Sequence, residues 1–153
     1  MGSDERIERL IRQLQPHAIV GLDTSIFIYH LEAHPRYLPL TTAALARIQQ
    51  GRQQGVTSTI TLMELTVRPW QMGRGAVAHH YEALLASFPN LRLVDVDREV
   101  ARKAAQLRAR YPVRPADALQ VAAALTHGAS GFLTNDHRLS RLEPVIAVIQ
   151  LDA

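Results

Sequence analysis

Four acidic residues, Asp23, Glu64, Asp117 and Asp136, stand at positions where carboxylates can bind a divalent cation. Asp23 and Asp136 each directly follow a short apolar run, while Glu64 and Asp117 fall near the starts of helical patterns. Oxygen-only ligand sets suit Mg²⁺ or Mn²⁺, which bind through a few carboxylates and keep water ligands. Such ions activate water and stabilise negative charge on a phosphodiester. If the four residues converge, they predict metal-dependent hydrolysis of a nucleic-acid phosphodiester.

Short β-type runs alternate with helical periodicity along the chain. Ile7, Leu10, Ile11 and Leu14 fall at i, i+3, i+4 and i+7, which predicts an amphipathic helix. The run AIVGL is continuously apolar, as is typical of a strand buried on both faces. The predicted strands cover residues 18–22, 56–60, 91–96, 131–135 and 145–151. The predicted helices cover residues 4–14, 24–31, 39–50, 61–67 (ended by Pro69), 75–88, 97–109 and 115–127.

This alternation predicts a parallel sheet of five strands with helices on both faces. In such sheets, ligands bind beyond the carboxyl ends of the strands, where the strand order reverses. Asp23, Glu64 and Asp136 all come after predicted strands, and Asp117 begins the helix before the fourth strand. We therefore expect the four carboxylates to lie along one rim of the sheet.

Helix capping is the simpler explanation for each acid taken alone, because a carboxylate at a helix start is stabilised by free N–H groups and the helix dipole. Asp97 is expected to act in this way, and Asp95 to face outward. Several carboxylates on one rim are a different case. They repel each other and raise each other's pKa unless cations neutralise them. Their joint placement favours a metal site.

The composition limits the function classes. A chain of 153 residues with 47% hydrophobic and 20% charged residues fits one folded domain. It contains no cysteine, which excludes disulfides, zinc–thiolate sites and thiol catalysis. The basic residues are sixteen arginines and one lysine, at a net charge of +3, which is compatible with a polyanionic partner. No apolar run approaches the roughly 20 residues of a membrane span, and the first residues are polar, so we expect a cytoplasmic protein without a membrane segment.

Four segments carry a resemblance to a known family. IVGLDTSIFIY, TSTITLMELTV, RPADALQVAAAL and GFLTNDHRL resemble, in order, the four motifs of PIN-domain ribonucleases. The size and layout are most similar to the VapC toxins of bacterial toxin–antitoxin pairs. The resemblance runs from about residue 18 to residue 150. It implies a single PIN domain over residues 1–153, with residues 1–16 as an extra N-terminal helix.

The resemblance also implies a fold, an activity and roles for residues. The implied fold is a three-layer α/β/α sandwich, and the implied protein is an Mg²⁺- or Mn²⁺-dependent endoribonuclease that forms a homodimer, cleaves RNA and pairs with an antitoxin. The catalytic metal ligands match Asp23, Glu64, Asp117 and Asp136. Supporting polar residues match Thr24 or Ser25 after the first acid, and Thr134 and Asn135 before the last. Arg114 matches the arginine that opens the third motif and is the best candidate for RNA contact.

Two alternatives remain open at this point. The first is a non-catalytic PIN-fold module that binds RNA or protein. The second is another Mg²⁺-dependent phosphohydrolase on a similar sheet. A phosphoacceptor aspartate would need a nearby lysine, and the one lysine, Lys103, is predicted in mid-helix. A haloacid-type hydrolase would need the pattern D-x-D, whereas Asp23 is followed by Thr24 and Ser25.

Overall fold

A five-stranded, all-parallel sheet forms the centre of the protein, whose computed structural model describes residues 2–153. The strands are β1 (Ile19–Leu22), β2 (Gln54–Ser58), β3 (Leu91–Val94), β4 (Gly131–Thr134) and β5 (Ala147–Gln150). Their order across the sheet is β3-β2-β1-β4-β5. The central strand β1 is in register with both neighbours, since Val20 lies opposite Gly55 on one side and Gly131 on the other.

Within residues 2–153, seven α-helices and one 3₁₀ helix cover the two faces of the sheet. The α-helices are α1 (Ser3–Leu14), α2 (Thr24–Leu31), α3 (Leu38–Gln49), α4 (Thr59–Gln71), α5 (Gly75–Ser87), α6 (Arg98–Arg110) and α7 (Pro115–Thr126), and the 3₁₀ helix is His137–Leu142. One buried apolar cluster joins α1, α2, α3 and α5 to one face, and a second joins α6, α7 and the 3₁₀ helix to the other. The predicted three-layer α/β/α sandwich is confirmed.

Two sequence-based predictions about α4 and its preceding strand were wrong. The second strand ends at Ser58 rather than at residue 60, because the Ser58 hydroxyl accepts a hydrogen bond from the Ile60 amide at 3.1 Å and begins α4 at Thr59. Pro69 does not end α4, which continues to Gln71. A proline in a helix removes one backbone hydrogen bond, and here its buried ring packs within the last turn.

The strand order reverses between β1 and β4. From β1 the chain builds outward through β2 and β3, and it then returns to the other side of β1 to add β4 and β5. The carboxyl ends of β1 and β4 therefore meet at the topological switch point. The Asp23 amide, just beyond β1, donates to the Leu133 carbonyl of β4 at 2.9 Å and fixes the two strand ends together.

Helix α7 packs directly against β1 because Gly21 has no side chain. A Cβ atom at Gly21 would stand 2.6 Å from the Ala124 Cβ atom and 2.7 Å from the Phe132 ring. The small residues on both surfaces bring α7 against β1, so its first turns reach the switch point.

Within residues 2–153, no helix combines the length and the apolar character needed to cross a membrane.

Candidate active site

A cleft of about 730 Å³ opens at the switch point, and all four predicted acids line it. They come from four different places in the fold: Asp23 follows β1, Glu64 lies on α4, Asp117 lies in the first turn of α7, and Asp136 follows β4. The predicted supporting residues Thr24, Ser25 and Asn135 and the predicted RNA contact Arg114 line the same cleft. The structure thus brings the predicted carboxylates together, as the strand-end rule requires.

Asp23 is the acid most strongly affected by its surroundings. Its Oδ1 atom accepts from the Thr24 amide at 2.9 Å, and its Oδ2 atom accepts from the Thr134 hydroxyl at 2.7 Å. The pKa of Asp23 is raised to about 6 despite these two hydrogen bonds, chiefly by burial and to a smaller extent by the nearby Asp117 and Glu64 carboxylates.

This raised pKa makes the ionised form of Asp23 costly to the folded protein. Between pH 3.8, the ordinary pKa of an aspartate, and about pH 6, the folded state binds more protons at Asp23 than the unfolded state does. Stability therefore falls as the pH rises through that window. At neutral pH the cost of the carboxylate is on the order of 3 kcal/mol. A cation bound at Asp23 would offset this cost.

Glu64 is held by a buried network of hydroxyl groups. The Thr24 hydroxyl donates to the Glu64 Oε1 atom at 2.6 Å. Beneath it, the amide of Gln120, a residue that is 4% exposed, donates to the Thr24 hydroxyl at 3.0 Å and to the Thr61 hydroxyl at 2.7 Å. On its other side, the Gln120 Oε1 atom accepts from the Ser58 hydroxyl at 2.6 Å. Gln120 thus ties α7 to β2, α2 and α4.

The direction of hydrogen bonding is fixed for part of this network. Both Gln120 N–H groups are used as donors, so Thr24 and Thr61 accept from Gln120. The Thr24 hydroxyl donates to Glu64. The Thr57 hydroxyl donates to the Leu22 carbonyl at 3.0 Å, and the Thr61 hydroxyl lies within hydrogen-bond distance of both Thr57, at 2.7 Å, and Thr24, at 3.1 Å. The network therefore presents an O–H donor to the Glu64 side chain.

Asp117 and Asp136 are paired with arginines in the cleft wall. The Arg114 Nε atom lies 3.2 Å from the Asp117 Oδ2 atom, and a second nitrogen of the same guanidinium lies 3.7 Å from Asp136. Arg138 binds Asp136 in a bidentate manner, at 3.0 Å and 2.7 Å. This hydrogen-bonded guanidinium lowers the pKa of Asp136. Asp136 also caps the 3₁₀ helix by accepting from the Arg138 amide, so the capping role holds for this acid.

The predicted supporting residues take different positions. Thr134 is fully buried and links two acids, since its hydroxyl donates to Asp23 and accepts from the Asp136 amide at 3.0 Å. Asn135 instead donates to the Tyr29 hydroxyl at 3.2 Å. The Ser25 Oγ atom is buried in the cleft wall and has no hydrogen-bond partner among residues 2–153. A buried polar atom without a hydrogen bond destabilises the folded protein unless a ligand or a water molecule binds to it.

The donor chemistry of the cleft fits Mg²⁺ or Mn²⁺. Four carboxylates and the free Ser25 Oγ atom supply only oxygen ligands, which hard divalent cations prefer. The acids do not form a closed cage, however, because within residues 2–153 no three Asp, Glu, His or Cys side chains stand close enough to hold one ion together. Two of these acids, Asp117 and Asp136, are paired with arginines.

Several residues of the site were missed by the sequence-based interpretation. Gln120 fell within the predicted helix 115–127, Thr57 and Ser58 within the predicted strand 56–60 and Thr61 within the predicted helix 61–67, and none of them was given a role. The available signal was a single glutamine on the apolar face of α7. Arg138 was also missed, although it stands two residues after Asp136. Lys103 lies on α6 and does not line the cleft. The cleft therefore lacks the lysine that a phosphoacceptor aspartate would need.

Comparison with known proteins identifies the family and the fold of the chain. The sequence model of the PIN domain matches residues 20–143. Among curated proteins, none matches the chain. A toxin–antitoxin complex from Klebsiella pneumoniae is similar in structure at 19% identity, with a TM-score of 0.65 and coverage of 86% of this chain and 97% of that chain.

Two further solved structures share the fold. VapBC2 from Rickettsia felis, bound to a DNA fragment from their promoter, is similar at 19% identity and a TM-score of 0.67, covering 85% of this chain and 96% of that one. DNA-bound VapBC from Salmonella typhimurium is similar at 22% identity and a TM-score of 0.66, covering 86% and 97%. At these identities the likeness concerns the fold.

The role of Gln120 can be tested by unfolding in urea. Gln120→Leu keeps the volume of the side chain but leaves the Ser58 hydroxyl without its acceptor and two threonines without a donor. Unsatisfied buried polar groups cost about 1–3 kcal/mol each. We therefore expect the free energy of unfolding to fall by at least about 2 kcal/mol. The matched control is Gln106→Leu on the exposed face of α6, and an equal effect of the two substitutions would contradict the network.

Proposed function

Since the chain belongs to the PIN domain family, we propose that it is a metal-dependent endoribonuclease and the toxin of a toxin–antitoxin pair, acting in the cytoplasm. The observation that carries the proposal is the convergence of four carboxylates from separate elements on one cleft, with the most buried of them at a pKa raised to about 6. A folded protein keeps such costly charge where a cation or a reaction uses it. The cation proposed is Mg²⁺ or Mn²⁺.

The proposed reaction is hydrolysis of an RNA phosphodiester. Water attacks the phosphorus atom and the P–O3′ bond breaks, which leaves a 5′-phosphate and a 3′-hydroxyl. When bound, the divalent ion supplies positive charge that lowers the pKa of water and stabilises the negative charge of the transition state. Asp117 or Asp136 accepts the proton that the attacking water loses, and the departing O3′ oxygen takes a proton from solvent.

The chain's own residues would hold and orient this site. Asp23, Glu64 and Asp117 are the residues proposed to hold the ion, with the Ser25 hydroxyl beside them, and Asp136 acts through water. In the observed arrangement at most two of these acids reach one ion, so water would supply its other ligands. Thr134 fixes the Asp23 carboxylate, and Thr24 fixes the Glu64 carboxylate. Such supporting bonds hold ligands at the geometry that a metal site requires. Arg114, at the edge of the cleft, is the proposed contact to the RNA backbone.

Cleavage assays test this proposal directly. Wild-type protein should cleave single-stranded RNA in Mg²⁺ or Mn²⁺ but not in EDTA, and it should leave DNA of the same sequence intact. Asp23→Asn should lower the cleavage rate by about 100-fold or more, because it removes charge from the centre of the site. Asp95→Asn, a change of an exposed acid after β3, should cleave like the wild type.

The other possible outcomes of these assays would support a different site or a different function. Full activity of Asp23→Asn would refute the assignment of the site. Binding of RNA by wild type without any cleavage would favour the non-catalytic PIN-fold module. Cleavage of a small phosphomonoester but not of RNA would favour another Mg²⁺-dependent phosphohydrolase.

The proposal includes two protein partners, an antitoxin and a second copy of the chain. The solved structures that share the fold are toxin–antitoxin complexes, which supports the first. The second is supported by an exposed apolar stripe on α4, where Met63, Val67 and Trp70 are 56%, 48% and 54% exposed at a spacing of i, i+4 and i+7.

The dimer can be tested by sedimentation velocity. The wild type should sediment as a dimer, and Val67→Glu should sediment as a monomer, since two facing copies would bury unpaired charge. Leu84→Glu changes an exposed apolar residue on α5 that is not part of the stripe, and it should remain dimeric. A monomeric wild type would refute the dimer, and co-purification of a small protein encoded beside the chain would test the antitoxin.

A further inference from the structure

Next to the acidic cleft lies a second, smaller concavity, which we call the arginine pocket. It has a volume of about 140 Å³, and Arg114, Arg138 and Arg141 line it. Its floor and walls include Pro112, Val113 and Leu139. Arg114 and Asp117 line both the pocket and the acidic cleft. The two concavities are therefore continuous at these residues.

The three guanidinium groups are directed into this region from two elements. Arg114 precedes α7, while Arg138 and Arg141 lie on the 3₁₀ helix. The Arg141 side chain donates to the Pro112 carbonyl at 2.8 Å, which anchors it across the pocket. The side chains of Arg114 and Arg138 are 64% and 61% exposed, so both can turn toward a ligand in the pocket.

Charge and hydrogen-bonding capacity both favour an anion at this place. Three guanidinium groups face two carboxylates, Asp117 and Asp136. Arg114 and Arg138 pair with these acids, and Arg141 has no acidic partner among residues 2–153. Each guanidinium carries five N–H donors. Arg141 uses one of them on Pro112 and Arg138 uses two on Asp136. The remaining donors include forks of the kind that bind phosphate oxygens in pairs.

We propose that the arginine pocket binds a phosphate of the RNA backbone adjacent to the phosphodiester held in the acidic cleft. This inference rests on the proposed ribonuclease function and extends it to Arg138 and Arg141. The pocket is continuous with the cleft, so a single strand whose reacting phosphate lies between the acids brings its neighbouring phosphate to the arginines. That continuity favours an RNA strand over an acidic protein segment as the ligand.

Binding of a phosphate by these arginines would also affect Asp117 and Asp136. In the free protein, Arg114 and Arg138 neutralise Asp117 and Asp136. A backbone phosphate competes for the same guanidinium groups and draws them away from the carboxylates. The two acids are then free to act in the cleft when RNA is present. The arginines thus serve as binding residues for the substrate and as counter-ions in its absence.

The test measures RNA binding apart from cleavage. A fluorescein-labelled single-stranded RNA of twelve nucleotides is titrated, at several NaCl concentrations and in EDTA, with protein that carries Asp23→Asn so that the RNA stays intact. Arg138→Gln and Arg141→Gln, added separately to this background, should each weaken binding on the order of tenfold. Each should also reduce the slope of log K against log salt concentration by about 0.7, the value for one phosphate contact on a single strand.

Controls separate this role from general charge and from folding. Arg12→Gln removes an exposed arginine from α1, on the opposite face of the sheet, and should leave both affinity and slope unchanged. Arg141→Lys keeps the charge and a donor toward Pro112, and it should restore the slope but only part of the affinity, since lysine has no bidentate fork.

The outcomes distinguish this inference from the function on which it rests. If the background protein binds RNA and neither glutamine variant changes the slope, the arginine pocket is wrong while the proposed function stands. If the background protein binds no RNA while the wild type cleaves it in Mg²⁺, the arginine pocket is wrong and the proposed function stands; if the wild type also fails to cleave RNA, both fail. Arginine-dependent binding of a polyglutamate peptide that leaves bound RNA in place would also overturn the inference, in favour of a protein ligand.

Discussion

The cost of keeping a desolvated carboxylate beside other carboxylates is the constraint around which this protein is arranged. Asp23 is half-buried next to Glu64 and Asp117, and its pKa is raised to about 6, chiefly by burial and to a smaller extent by these two neighbouring charges. The charge is costly to the fold, yet the surroundings are arranged to hold it in place. Thr134 and the Thr24 amide bind its two oxygens, the polarised network through Gln120 fixes Glu64, and arginines hold Asp117 and Asp136.

The sheet topology explains why these groups meet. The order β3-β2-β1-β4-β5 places the ends of β1 and β4 side by side, and the chain leaves each strand at an aspartate. The close contact of Gly21 with Ala124 allows α7 to pass tightly beneath β1, which carries Asp117 to the cleft and Gln120 to the base of Glu64. A parallel sheet buries both faces, so polar side chains concentrate at its rim.

Much of this arrangement could be predicted from the sequence because local patterns determine it. Short β-type runs, such as the continuously apolar AIVGL and the β-branched VTSTI, marked the strands, and the acids that directly follow two predicted strands could be assigned to one rim without knowledge of any contact. The end of β2 could not be placed in the same way, since it depends on whether Ser58 continues a strand or caps a helix. The continuation of α4 past Pro69 depends on packing that no local pattern reports.

The polar network and the arginines lay beyond prediction for a different reason. Gln120 bonds to Ser58 across 62 residues of sequence and to Thr24 across 96, so its role appears only when α7, β2 and α2 meet in space. Arg138 could equally have pointed to solvent, and only the position of Asp136 at the start of the 3₁₀ helix turns it into the cleft. The role of the acids as metal ligands stays a prediction.

The most direct test of the account compares the unfolding of wild type and Asp23→Asn as a function of pH, with and without Mn²⁺. Without metal, Asp23→Asn should be the more stable protein at neutral pH, by up to about 3 kcal/mol, and the difference should disappear as the pH falls below about 4. Saturating Mn²⁺ should reverse the order, since it stabilises only the protein that binds it. Equal stability without metal, together with no gain of the wild type in Mn²⁺, would contradict the claim that Asp23 is a buried charge kept for a cation.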